Sequence, residues 1–373
     1  MALKKKWRIM TIVAIMVFSL CHASGYATEI TDKFSIGGVL SGAYQYQDVS
    51  DAPGFDSKGK GAMTFQPELS FTPTANDEIF AKFGFGAGNA LNDGTSPFTL
   101  ATWAATLEAD VQDINGRNRD YLLEAWYKHT FQFGETHSLG VTGGLIDAAG
   151  YLDENAYSND EFTQFMNEAL VNASNAFAPS FDIGGALEWE YSNFAVKGVI
   201  MQVGDTTADQ RAYHFYGAQV GYTLNTGLGE GNYRLIIEGT SEDFTDPQGT
   251  KFESRGVMLF SFDQQLGEKL GAWTRFGWQD DKAEINYHSL YSGGVDISGK
   301  LWGREDDNIG IGYAYLSGGN ATIDKTQVAE AYARCVLNEI FALTLDVQWM
   351  EDDYVVGNGP KGFIYGVRMA VEF

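Results

Sequence analysis

Apolar and polar side chains alternate along most of this chain. Between residues 34 and 46 the even positions are Phe34, Ile36, Gly38, Leu40, Gly42, Tyr44 and Tyr46, and the odd ones are Ser35, Gly37, Val39, Ser41, Ala43 and Gln45. Residues 62–71 set Met63, Phe65, Pro67, Leu69 and Phe71 against Ala62, Thr64, Gln66, Glu68 and Ser70. Residues 181–191 do the same, with Phe181, Ile183, Leu187, Trp189 and Tyr191 against Asp182, Ala186, Glu188 and Glu190. A strand turns successive side chains to opposite faces, so a period of two marks a strand with one apolar and one polar face. Similar segments lie near 78–88, 121–131, 137–147, 193–203, 213–224 and 231–241. The series continues at 252–262, 271–279, 286–301, 308–317, 327–337, 340–350 and 362–373, which makes about sixteen strands.

The connections carry their own rhythm. Long ones at 47–61, 89–120 and 148–180 alternate with short ones at 72–77, 132–136 and 192, and the later ones alternate less clearly. Short turns at one end and long loops at the other are the habit of outer-membrane barrels. The last strand puts Tyr365, Val367, Met369, Val371 and Phe373 on one face and stops on the aromatic residue. One segment breaks the period: residues 158–172 place Phe162, Phe165, Met166, Ala169 and Leu170 at helical spacing, with Ser158 and Glu161 as a capping box. This predicts a short helix inside the third long connection, folded into the barrel as a constriction loop spanning 148–180. The segment is acidic, with Asp147, Asp153, Glu154, Asp160, Glu161 and Glu168.

The amino terminus reads as an address. Lys4, Lys5, Lys6 and Arg8 precede an apolar stretch from Ile9 to Leu20, and Gly25-Tyr26-Ala27 offers small residues for cleavage. Residues 1–27 are therefore expected to be a secretory signal peptide, leaving 28–373 as a single barrel domain. No later run approaches 18 consecutive apolar residues, so an exported chain of this kind either dissolves or crosses a membrane as a closed barrel.

Composition narrows the choice. The chain has 373 residues, 49 acids, 25 bases and a formal charge of −24, which removes the basic footprint that nucleic-acid binding requires. With 2 cysteines, one of them (Cys21) in the leader, no internal disulfide forms in the exported chain. The histidines beyond the leader, His129, His137, His214 and His288, show no metal-ligand spacing, and the acids of 147–160 do not match an EF-hand loop. No enzyme, metal or cofactor is read from the sequence.

The fold class that emerges is all-β: a transmembrane antiparallel up-and-down barrel with long external loops and one inserted helical segment. A ring of sixteen strands retains an aqueous channel, and inward Ser, Gln, Glu, Arg, Asn and Thr suit a wet lumen. By parity Arg234, Arg255, Arg275, Arg334 and Arg368 point inward, as do Glu68, Glu188, Glu238, Glu330 and Asp346. An arginine row facing an acidic loop would set a transverse field that sieves polar solutes. Of the tryptophans, Trp189 belongs to an interfacial girdle by parity, whereas Trp126 alternates with Glu124 and Lys128 and is the candidate for the lumen. The expected partners are small permeant solutes and outer-membrane lipid. A homotrimer stays open, because the outward faces are apolar on most strands.

Several stretches resemble the carbohydrate-selective outer-membrane porin family: LLEAWYKHTF (122–131), GGLIDAAGYLDEN (143–155), GNYRLI (231–236) and SFDQQLGEKLGAWTRFGWQDD (261–281). LWGREDDNIGIGYAYL (301–316), AEAYARCVLNEIFALTLDVQWM (329–350) and GVRMAVEF (366–373) complete the set, in order along nearly the whole exported chain. The resemblance implies a sixteen-stranded barrel, passive uptake of mono- and oligosaccharides across the outer membrane of a Gram-negative-type bacterium, and a pore lined by charged and aromatic groups. The alternatives are a general porin for small hydrophilic solutes and, further off, a polysaccharide exporter.

Overall fold

The computed structural model describes residues 28–116, 121–204 and 212–373; the expected leader, 1–27, lies outside them. The strands are β1 (Phe34–Ser50), β2 (Lys58–Thr74), β3 (Asp77–Phe83, resuming after Gly84 as Phe85–Ala87), β4 (Leu122–Gln132) and β5 (His137–Ile146). Next come β6 (Asp182–Tyr191), β7 (Phe194–Val203), β8 (Tyr213–Thr226), β9 (Gly229–Thr240), β10 (Gly256–Leu266) and β11 (Leu270–Gln279). β12 (Tyr287–Ser298), β13 (Asn308–Gly318), β14 (Ile323–Val336), β15 (Phe341–Tyr354) and β16 (Lys361–Glu372) complete the ring. Each strand pairs antiparallel with its neighbours, and β16 returns to β1 from Val39 opposite Glu372 to Ser50 opposite Lys361. The result is a closed barrel of sixteen strands. Closure leaves no exposed sheet edge, which is the condition for strands to cross lipid.

Every segment with alternating character became a wall strand. The outward positions are apolar at mid-height, with Leu187, Ile200, Val220, Ile237, Ile311 and Leu345 more than half exposed or nearly so. Aromatic residues gather towards both ends, including Tyr127, Phe131, Trp189 and Tyr191 on the short-turn side and Tyr216, Trp278, Tyr291 and Tyr313 on the other. This is the apolar band with two girdles that a lipid-embedded barrel presents. Trp189 faces outward, stacks on Tyr191 with ring centroids 6.0 Å apart, and donates its indole N–H to His137 Nε2.

The connections differ from expectation in detail. β1 and β2 run for 17 residues each, so their connection shrinks to 51–57. The turns 75–76, 133–136, 192–193, 227–228 and 267–269 are tight, and the long connections 88–121, 147–181 and 241–255 all leave from the opposite end. By the rule for bacterial barrels that end is external. The helix expected over 158–172 is not formed. Its place is taken by turns and one short helix, α2 (Glu168–Val171), capped by Asn167 rather than by Ser158. A second short helix, α1 (Glu108–Gln112), lies in the connection 88–121, where sequence reasoning placed none. The helical spacing at 162–170 arises because these residues divide between two apolar clusters: Phe162 and Met166 pack with Trp103 and Leu107, while Phe165, Ala169 and Leu170 pack with the far wall.

Two neighbouring glycines in β5 test the ladder. Gly144 adopts φ +150°, and a Cβ there would lie 2.3 Å from the Ala125 carbonyl oxygen and 2.6 Å from Trp126 Cα, whereas a Cβ at Gly143 meets nothing within 4 Å. Gly144→Ala is expected to lower barrel stability by roughly 1–3 kcal/mol, and Gly143→Ala by less than about 0.5 kcal/mol. Thermal melting in detergent checks the contrast, and equal losses at both positions would contradict the register.

Candidate permeation path

Two of the three long connections, through residues 88–116 and 147–181, turn back into the barrel. The segment 147–181 opens on Asp147, whose carboxylate accepts from Ala149 N at 3.0 Å and starts a single tight turn. It then follows the inner wall. Asp153 N donates to Gln219 Oε1 on β8 at 3.0 Å, and Asn155 Nδ2 donates to the Phe262 carbonyl on β10 at 3.2 Å. Its tip is held from beneath. Glu330 on β14 accepts from Met166 N at 2.6 Å and Asn167 N at 3.0 Å. Arg368 on β16 donates to the carbonyls of Glu161 and Gln164 at 2.7 and 2.8 Å. The return limb gives Phe177 N to Glu238 on β9 at 3.2 Å.

The segment 88–116 is clasped against it. The Thr102 carbonyl accepts from Gln45 of β1 and Gln348 of β15, each at 2.9 Å, and Thr99 N donates to Asp352 at 2.8 Å. The two segments exchange bonds as well. Ala101 N donates to Glu168 Oε2 at 2.8 Å, and Ala104 N donates to the Met166 carbonyl at 2.8 Å. Trp103 is completely buried, with its indole N–H on the Glu161 carbonyl.

These contacts correct the picture of a uniformly polar lumen. Towards the long-loop end the inward face carries Val203, Phe215, Val257, Leu259, Leu316 and Met350, all buried against the inserted segments. Wall glycines make room for them: a Cβ at Gly217 would meet Leu152 at 2.5 Å, and one at Gly312 would meet Phe165 at 2.9 Å. Phe165 sits edge-on to Trp273 and Tyr332, with centroids 5.6 and 5.1 Å away. One signal of a second insert was legible, the apolar and aromatic positions Phe98, Leu100 and Trp103, which a solvated loop would not carry.

The arginines are inward but occupied. Arg275 has no exposed surface; its guanidinium lies against Asp153 at 2.7 Å, donates to Ser158 Oγ at 2.7 Å, and also reaches the Ser158 and Val171 carbonyls. Arg368 is equally buried. Arg234 pairs with Asp263 on the next strand at 2.6 Å, and Arg334 with Glu372 at 3.2 Å. Arg255 precedes β10 at the long-loop rim, 4.2 Å above the Phe244 ring, with a bond to the Glu284 carbonyl. The five therefore do not form a free row.

The acids divide in the same way. Glu188 bridges Lys128 at 2.6 Å and Lys197 at 3.9 Å, and Lys197 continues to Glu154 on the inserted segment. Asp346 accepts from Gln348 beneath the tip at 3.0 Å. Asp160 holds its own turn, accepting from Phe162 N at 2.7 Å. Trp126 does face inward, stacked on Phe80 at 4.8 Å and bonded to Glu124 at 3.1 Å.

Two cavities lie at the inserted segments, of about 560 and 200 Å³. Ala104, Ala149, Val171, Asn172 and Ser180 line both, so the cavities meet at the inserted segments. The larger opens on Glu68, Lys82, Asp147, Asp160, Glu161 and Glu372, and the smaller on Asp153, Glu168 and Glu238. No arginine is among the lining residues. Lys82, which sequence reasoning missed, is the single base there among the described residues, 3.2 Å from Glu68. Burial raises the carboxyl of Glu161 to about 7, with the neighbouring Asp160 charge adding to it, and burial raises Asp147 and Glu168 as well.

Comparison with known proteins agrees with this architecture. The profile described as "Carbohydrate-selective porin, OprB family" matches residues 79–373. An uncharacterized protein of Aquifex aeolicus (strain VF5) is 30% identical over 308 residues, covering 81% of this chain and 88% of that one. Among solved structures, the high-pH structure of Pseudomonas putida OprB superposes with a TM-score of 0.72 at 13% identity, over 94% of this chain and 99% of the other. The outer-membrane channel DcaP of Acinetobacter baumannii gives 0.56 at 10% identity, over 94% and 100%. At those identities the structures speak for the fold, and the profile match speaks for the lineage: this chain belongs to the OprB family of carbohydrate-selective porins and is an outer-membrane carbohydrate porin.

Proposed function

We propose that sugars cross through the two joined cavities, with the segments 88–116 and 147–181 forming the constriction and the wall of β2–β5 facing them. The observation that carries this reading is that the inserted segments are tied to the inner wall by buried side chains, while Glu68, Lys82, Asp147, Asp160 and Glu161 stay on the cavity between them. Sugar hydroxyls both donate and accept, and such a passage offers carboxylate acceptors and an ammonium donor in place of water. Within it Arg275, Arg368, Glu330 and Glu238 act as clamps that fix the segment, and the smaller group on the cavity meets the solute. The family and fold are those of channels, and no catalytic role is assigned to any residue. Export on a cleaved leader of residues 1–27 completes the reading.

The deciding experiment is single-channel recording in planar bilayers with and without neutral sugars. Saturable, sugar-dependent reduction of the ion current is the expected result, and an ohmic current indifferent to sugar would favour an unselective porin instead.

Two further outcomes follow from the clamps and the carboxyls. Arg275→Met removes the bonds to Asp153, Ser158 and Val171, so the mid-part of the segment loosens; the mean conductance should rise with a noisier open level, whereas an unchanged, quiet conductance contradicts a clamping role. The Glu161 carboxyl, held near 7 by burial, is neutral below that pH and charged above it. The cation-to-anion permeability ratio should therefore rise between about pH 5.5 and pH 8.5, read from reversal potentials in a salt gradient. A flat ratio across that range would remove Glu161 from the passage.

A further inference from the structure

We propose that Lys82 determines the specificity of the passage, as the base set between two acidic banks, Glu68 and Glu124 on the wall and Asp147, Asp160 and Glu161 on the inserted segment. This rests on the permeation path assigned above and names the residue that makes it fit neutral polyhydroxyl solutes rather than cations.

The sheet register puts Lys82 at the centre of a row. On neighbouring strands Glu68 lies opposite Lys82, and Lys82 lies opposite Glu124, so acid, base and acid stand side by side at one level of the inner wall. Lys82 Nζ is 3.2 Å from Glu68, and the two side chains keep 22% and 36% of their surface. The pair is thus part-exposed and lines the larger cavity. Asp147, Asp160 and Glu161 line the same cavity from the inserted segment. The bases that sequence parity placed in this role are withdrawn: Arg275 and Arg368 are buried beneath the segment, and Arg234 and Arg334 are matched to Asp263 and Glu372.

The chemistry follows from what each bank offers. Carboxylates only accept hydrogen bonds, and an ammonium only donates. Gln66, Thr106, Asn159, Asn172 and Ser180 also line the larger cavity and donate as neutral groups, but without Lys82 its charges would all be carboxylates and would concentrate cations. With Lys82 in place, a sugar between the banks finds acceptors on one side and a donor beside Glu68 on the other. Part of the negative potential is cancelled at the same point.

The test compares Lys82→Gln, Lys82→Glu and Lys82→Arg with the unaltered protein in planar bilayers, using potassium chloride gradients and D-glucose as the neutral sugar. Lys82→Gln should raise the cation-to-anion permeability ratio about threefold, as expected from removing one unit charge at contact distance in a solvated pore. Lys82→Glu should raise it further, and Lys82→Arg should restore it. Glu161→Gln, on the opposite bank, should move the ratio the other way. The half-blocking glucose concentration should rise about threefold in Lys82→Gln and return in Lys82→Arg, an effect of replacing a charged donor by a neutral one. An unchanged reversal potential in both Lys82→Gln and Lys82→Glu overturns this inference. Absence of any glucose effect in the unaltered protein would instead overturn the permeation path on which it rests, and heat-modifiable migration of each variant reports that its barrel has closed.

Discussion

A closed ring of sixteen strands encloses more space than its own inward side chains can fill. Everything distinctive in this structure answers that one geometric fact. The chain fills the surplus with its own connections, and a connection drawn into the lumen brings peptide groups that must be hydrogen-bonded where they lie. Irregular backbone at membrane depth is tolerated only when it is buried in protein or faces water. Here the wall supplies the partners. Glu330 takes two amide N–H groups, Arg368 gives to two carbonyls, Gln45 and Gln348 share the Thr102 carbonyl, and Asp352 takes Thr99 N. The inward polar residues of β1 and β14–β16 are matched to the backbone of the inserts.

That matching explains the distribution of charge. Burying a guanidinium or a carboxylate costs several kcal/mol unless its hydrogen-bonding groups are met and an opposite charge is close. Arg275 meets this with Asp153, the Ser158 hydroxyl and two carbonyls. With most long side chains on the far wall committed to the inserts, the charges that stay part-exposed are mainly those on β2–β7 and on the segment's own face, with Glu372 of β16 beside them. Lys128, Glu188 and Lys197 continue the wall beside the Glu68–Lys82 pair, so the charged half of the lumen lies mainly opposite the clamped half.

The wall was legible in the sequence, because a period of two records which face of a strand meets lipid, and a one-residue slip would reverse every side chain. The segments read at 62–71, 181–191 and 362–373 hold their faces in β2, β6 and β16, and Arg368, Glu330 and Trp126 point inward as parity requires. What parity does not record is the third dimension. It assigns Arg275 to the lumen but cannot say that another part of the chain lies on top of it. The helix read over 158–172 failed for a related reason: helical spacing among Phe162, Phe165, Met166 and Leu170 means one buried face only when there is one surface to face, and this segment is buried on several sides. Lys82 went unnoticed because parity shows it only as one base facing Glu68 across a hairpin, whereas the buried or paired state of the arginines is set by contacts between distant parts of the chain.

The coupling of the two inserts has a consequence for how the pore keeps its width. Neither segment is stiff alone: α1 and α2 are each under two turns, far below the length at which a helix holds in water. Each is instead fixed by the other, through Ala101 with Glu168 and Ala104 with Met166, and by buried side chains on strands whose own register is locked around the ring. Loosening one clamp therefore transmits to both segments, and the cross-section at Ala104, Ala149 and Ser180 depends on residues that never touch the solute. On the proposed path, selectivity by size and selectivity by charge would fall to different sets of side chains, the first to buried clamps and the second to the wall of β2–β4, so that substitutions in one set would alter its property while leaving the other in place.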